Sequence, residues 1–138
     1  MRSLIYIVLV TAAFVAGFYF TRPSSCGAAC EVGVITVSAK EFSDEITGDD
    51  TTVIDIRTQD EFEGGHIKDA VNSDFYKKNE FNKFLDSLNK SNKYLIYCRT
   101  GNRSGQALKI MEDKGFENVV NLDGGIVSWQ SEGLPLVK

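Results

Sequence analysis

Five short apolar runs punctuate this chain, and a stretch with helical spacing follows each of them. The runs are Val34-Ile35-Thr36-Val37, residues 52–56 (TVIDI), Ala70-Val71-Asn72, Tyr94-Leu95-Ile96-Tyr97 and Val119-Val120-Asn121-Leu122. Apolar runs of this length without polar alternation are strands covered on both faces, as in parallel sheets. Ser38 caps a helix over Ala39 to Ile46, and Thr58-Gln59-Asp60-Glu61 has the spacing of a capping box that opens a short one. Phe81, Phe84, Leu85 and Leu88 share one face of a helix over Asn79 to Leu88, as do Ala107, Leu108, Ile110 and Met111 over Ser104 to Lys114. A short helix holding Trp129 follows Gly124-Gly125. Strand, helix and strand in repeated alternation predict an α/β fold, a parallel central sheet flanked by helices on both faces.

Such sheets bind ligands beyond the carboxyl ends of their strands. The run at 94–97 delivers a cysteine to that edge and is followed by two glycines and two arginines before the next helix. Cys98 to Arg103 is thus a six-residue loop between a buried strand and a helix N-terminus. Loop amides and a helix N-terminus then converge beside one thiol. That environment favours the thiolate, the nucleophilic form. Gly115 stands where a left-handed helix stop is needed, with Phe116 able to fold back on Met111.

Charge bears on the same place. Between Ser87 and Met111 there is no Asp or Glu, while Lys90, Lys93, Arg99, Arg103 and Lys109 are basic; the whole chain carries -4. A net negative protein is not a general nucleic-acid binder, and a basic island around a cysteine predicts attraction of a small anion. With 138 residues, 43% hydrophobic and 25% charged, the chain has one globular domain, 34–138, plus a short appendage.

The appendage is 1–30. Leu4 to Phe20 is seventeen residues, nearly all apolar, between Arg2 and Arg22. A signal-peptide core spans roughly 7–15 residues and a membrane-spanning helix about 17–25, so the segment reads as signal peptide or N-terminal membrane anchor. The free amine and Arg2 outweigh Arg22, which places the domain outside the cytosol, periplasmic or anchored facing that side. Cys26 follows Arg22-Pro23-Ser24-Ser25 rather than the apolar core, which disfavours lipidation. Cys26 and Cys30 could pair in an oxidising compartment, leaving Cys98 an unpaired thiol.

Four separated segments resemble one family. Asp55, Arg57, Glu61 and Phe62 in VIDIRTQDEF, His66, Ile67, Ala70 and Asn72 in GGHIKDAVN, the loop YCRTGNRS and the segment LDGGIVSW resemble the motifs of a single rhodanese domain, in family order. The resemblance implies a rhodanese-like fold and a sulfurtransferase. Cys98 would be the nucleophile, taking sulfane sulfur as a persulfide and passing it to a thiol or cyanide. Arg99, Thr100, Gly101, Asn102, Arg103 and Ser104 would form the substrate-binding cradle, with Arg99 and Arg103 recruiting an anionic donor such as thiosulfate, a persulfide or a polysulfide. Thr100 stands where some thiosulfate-using relatives carry a lysine. No metal or organic cofactor is required. For Asp55 and Arg57 a structural ion pair competes with a place in the pocket; His66 is expected to hydrogen-bond a turn, and Trp129 to form a core or pocket wall. Two alternatives remain: a non-catalytic rhodanese-like binding or redox-sensing module, and a cysteine phosphatase or arsenate reductase. The latter enzymes use Cys-x5-Arg, one residue longer than Cys98 to Arg103.

Overall fold

In a computed structural model the chain is described over residues 33–46 and 51–138. The expected apolar leader at 1–30, with Cys26 and Cys30, lies outside the described residues, and so does the expected N-terminal hydrophobic helix. Among the described residues no helix is long and apolar enough to cross a membrane.

The strands are β1 (Val34–Val37), β2 (Thr51–Asp55), β3 (Val71–Asn72), β4 (Lys93–Tyr97) and β5 (Asn118–Leu122). The helices are α1 (Ala39–Glu45), α2 (Gln59–Glu63), α3 (Lys78–Ser87), α4 (Asn102–Asp113) and α5 (Gly125–Ser131). All five strands pair in parallel in the order β1-β5-β4-β2-β3. The pleat sends neighbouring residues to opposite faces. Val53, Leu95, Val120 and Leu122 accordingly pack with Phe42 of α1 and Trp129 of α5. Ile54, Ile96 and Val119 pack with Phe81 and Leu85 of α3 and Ala107 and Met111 of α4. Each large side chain buried this fully contributes roughly 1.5–3 kcal/mol, so the two apolar layers hold the sheet between its helices. Helices do cover both faces, and β4 runs through the centre.

Local signals set the element ends. Ser38 accepts the Glu41 N–H and the Glu41 carboxylate accepts the Ser38 N–H, a complete capping box; Thr58 and Glu61 repeat it on α2. At the end of α4, Gly115 takes a left-handed φ of 84°. The Phe116 N–H then donates to the Met111 carbonyl (3.0 Å) and the Gly115 N–H to Glu112 (2.9 Å), a Schellman stop. At its start α4 departs from the sequence expectation, beginning at Asn102 rather than Ser104. Gly101, at φ 90°, turns the chain early enough for its carbonyl to accept the Gly105 N–H (2.8 Å).

Below the sheet edge lies a buried ion pair. Arg57 donates from Nε and Nη2 to the Asp55 carboxylate (2.6–3.0 Å) and from Nη2 to the Gly65 carbonyl (2.8 Å). Asp55 is wholly buried and Arg57 is 5% exposed. Removing one partner strands the other charge, which costs about 3–5 kcal/mol. Asp55→Ala is therefore expected to lower the urea midpoint of unfolding by that equivalent, and an unchanged midpoint would assign the pair no structural weight.

Candidate active site

Cys98 is the first residue past β4, and it is 1% exposed. Because Gly101 turns inward, its N–H points at the Cys98 sulfur, 3.2 Å away. The Ser104 hydroxyl, in the first turn of α4, lies 3.5 Å from the same sulfur and 3.2 Å from the Gly101 carbonyl. Burial pushes the thiol up. The Ser104 hydroxyl and the amides of Ser104, Thr100 and Gly101 more than offset that, and the net displacement is below the ordinary value. Hydrogen bonds to the ionised form are the cause.

Ser104 thus has a testable role. In Ser104→Ala the thiolate loses its side-chain donor, so the thiol pKa rises and the thiolate is populated only at higher pH. The acid limb of the pH dependence of Cys98 alkylation is expected to move to higher pH. An unmoved limb would leave the amides alone in charge of the thiolate.

The remaining cradle residues separate into two groups. Arg99, Thr100 and Asn102 are exposed. The Asn102 side chain accepts from Gln106 Nε2 (2.9 Å), which turns it along the outer face of α4. Arg103 points back across the fold to Glu61, with Nη1 and Nη2 each 2.8 Å from a carboxylate oxygen. Its guanidinium also lies over the Tyr76 ring, 5.2 Å from the centroid. The Arg103 contact holds the Glu61 carboxyl down at about 2 from an ordinary 4.5, so both charges persist at neutral pH.

This pairing changes the expected electrostatics. Of the five basic residues between Ser87 and Met111, Arg103 is matched by Glu61 and Lys93 by Glu45. Lys93 opens β4 and Lys90 precedes it, whereas Cys98 follows the other end of that strand. The basic island expected around the cysteine is therefore dispersed. A strand of five residues spans about 16 Å, which linear proximity in the sequence hides. Arg99 is the exposed cation within the loop itself.

The other singled-out residues support the scaffold. Asp55 and Arg57 form the buried pair, and Arg57 lies 5.7 Å from the Tyr97 ring centroid. His66 stacks on Phe62 (3.8 Å between centroids), its Nδ1 lies 3.1 Å from the Phe62 carbonyl, and its backbone pairs with Val137. That is the turn role expected of it. Trp129 is a core wall, edge-on to Phe42, with Nε1 donating to the Pro135 carbonyl (2.9 Å).

Sequence reasoning missed two supports. The capping box and the motif make Glu61 legible in the sequence, whereas its second partner, Arg103, is not. The glycines at 124 and 125 stand out in the sequence as a motif, and in space they floor the loop. The first amides of α5 grip it from beneath: Ile126 N–H donates to the Cys98 carbonyl (2.9 Å) and Val127 N–H to that of Arg99 (3.2 Å). A Cβ on Gly125 would stand 2.5 Å from the Cys98 oxygen. Two consecutive glycines straight after a strand are the sequence signal of such an approach.

A central parallel strand that hands one buried, hydrogen-bonded cysteine to a tight loop defines a domain built around a single activated thiol. The family model described as Rhodanese-like domain matches residues 38–132, and the chain belongs to that family. A sulfurtransferase of Allochromatium vinosum is 36% identical over 89 residues, 64% of this chain and 80% of that protein. A tRNA uridine(34) hydroxylase of Pelagibacter ubique is 36% identical over 93 residues, 67% of this chain. This chain spans 31% of that hydroxylase, and 56% of a 32% identical uncharacterised protein of Synechocystis. Among solved structures, a rhodanese-related protein of Thermoplasma volcanium superposes with a TM-score of 0.64 at 32% identity, covering 74% of this chain and 96% of that one.

Proposed function

We propose that this domain is a sulfurtransferase that carries a sulfane sulfur as a persulfide on Cys98. One observation carries the reading: the Cys98 sulfur sits under the Gly101 amide and the Ser104 hydroxyl, with its pKa lowered. The thiolate attacks the outer sulfur of a donor such as thiosulfate. The donor S–S bond breaks and its electron pair leaves with sulfite, while the new Cys98–S bond forms. Cyanide or a thiolate then attacks that outer sulfur and returns Cys98 as thiolate. The loop donors that hold the first thiolate also meet the charge of the persulfide. The sulfurtransferase name of the Allochromatium relative supports the reading.

The purified domain given thiosulfate should become one sulfur atom heavier by intact mass, and with cyanide it should release thiocyanate. Neither mass gain nor thiocyanate would favour a binding or redox-sensing module. Phosphate released from an aryl phosphate would favour a phosphatase, which the short Cys98 to Arg103 loop opposes. We place the domain outside the cytosol on the strength of the apolar segment from Leu4 to Phe20. Intact mass of the protein from its native host reads leader processing and resident persulfide together.

A further inference from the structure

Two features around the loop remain unused by the sulfur-transfer reading. The first is the Glu61–Arg103 ion pair. Glu61 lies 42 residues from Arg103 in the chain, and its carboxylate accepts from Arg103 Nη1 and Nη2, each at 2.8 Å. The Arg103 side chain is only 13% exposed, so its charge is spent inside the fold. Thr100 is neutral, and Asp123, exposed, immediately precedes the Gly124 that packs on Gly101. Arg99 is thus the one exposed charge of the loop. A dianion such as thiosulfate brings two charges to one free guanidinium there, so more of its charge must rest on the loop amides than a monoanion's does.

The second feature is apolar. Tyr76, at 63%, is the most exposed of the large hydrophobic side chains among the described residues. The Tyr76 ring borders the loop, lying against Arg103. An exposed aromatic ring beside the loop suits a donor with a carbon body.

Resting on the sulfurtransferase reading, we propose that the preferred donor is an organic persulfide carrying at most one charge near its sulfurs, that Glu61 sets this preference by neutralising Arg103, and that Tyr76 contacts the donor's carbon group. In the transfer, the Cys98 thiolate attacks the outer sulfur of R–S–SH. The S–S bond breaks, RS⁻ leaves with its electron pair, and the proton stays on the transferred sulfur as Cys98–S–SH. Sulfane sulfur changes carrier with no net oxidation.

The test compares kcat/KM for benzyl persulfide and for thiosulfate, with Cys98 loading followed by intact mass. Wild type should favour benzyl persulfide. Glu61→Gln retains an acceptor oxygen for Arg103 and removes the charge, so the thiosulfate-to-persulfide ratio should rise about tenfold, the size of one charge-assisted contact. The ratio cancels any change in thiolate population common to both donors. Tyr76→Ala, at an exposed site, should lower benzyl persulfide use about threefold and thiosulfate use by clearly less, because the lost donor contact is apolar. Should Glu61→Gln fail to fold, the tyrosine variant still decides. A wild-type preference for thiosulfate, a ratio unmoved in Glu61→Gln, or equal losses in Tyr76→Ala would overturn the donor assignment while loading of Cys98 persists. Loading by neither donor would overturn the sulfurtransferase reading itself.

Discussion

A Cys98→Ser domain is expected to fold as the wild type does, to gain no sulfur from any donor and to form no thiocyanate. Serine differs from cysteine here by one atom in a site that is 1% exposed, and its hydroxyl can take the same hydrogen bonds from Gly101 and Ser104. The packing is thereby preserved. What vanishes is the ionisable sulfur. A thiolate is the attacking species, and the cradle lowers the pKa of a thiol into useful range; it cannot bring an alcohol there. Turnover should fall to the uncatalysed level, and urea unfolding should shift by less than about 1.5 kcal/mol, as for a small, nearly isosteric change. Residual sulfur transfer in this variant would place the carrier on another residue.

Gly125→Ala is expected to cost nearly as much activity without touching the nucleophile. The new methyl would lie 2.5 Å from the Cys98 carbonyl oxygen and 2.6–2.7 Å from the Arg99 carbonyl carbon and oxygen. These are backbone atoms, so no side chain can swing aside to admit it. The residue also sits at φ 60°, where a Cβ is strained. Relief requires α5 to draw back, which breaks the bonds from Ile126 and Val127 to the loop carbonyls. The amides aimed at the sulfur then lose their fixed position. A displacement of about 1 Å at a reacting centre costs roughly a hundredfold in rate, and kcat/KM should fall by at least that. Gly105→Ala is the control, since a methyl there meets nothing within 4 Å and helix α4 gains from the exchange. Equal activity in the two variants would show that α5 does not hold the loop.

Local pattern carried far in this chain because its signals are local. Strands buried on both faces read as unbroken apolar runs, and each capping box, Ser38 with Glu41 and Thr58 with Glu61, joins residues three apart. The Schellman stop at Gly115 is equally short-range. Cys98 was legible for the same reason, a thiol between a strand and a helix start. The start of α4 lies two residues ahead of the sequence expectation because a glycine with positive φ lets the helix begin before its apolar stripe does.

By itself the sequence determined which segments are strands and helices, that they alternate into a parallel sheet, and which thiol reaches its carboxyl edge. Those properties follow from side-chain period and from residues a few positions apart. Only the tertiary structure decided that β4 lies between β2 and β5, that Arg103 spends its charge on Glu61, and that α5 leaves no room beneath Cys98 for even a methyl group. Those are contacts between segments distant in the chain, set by how two apolar layers close over the sheet, and no local spacing records them.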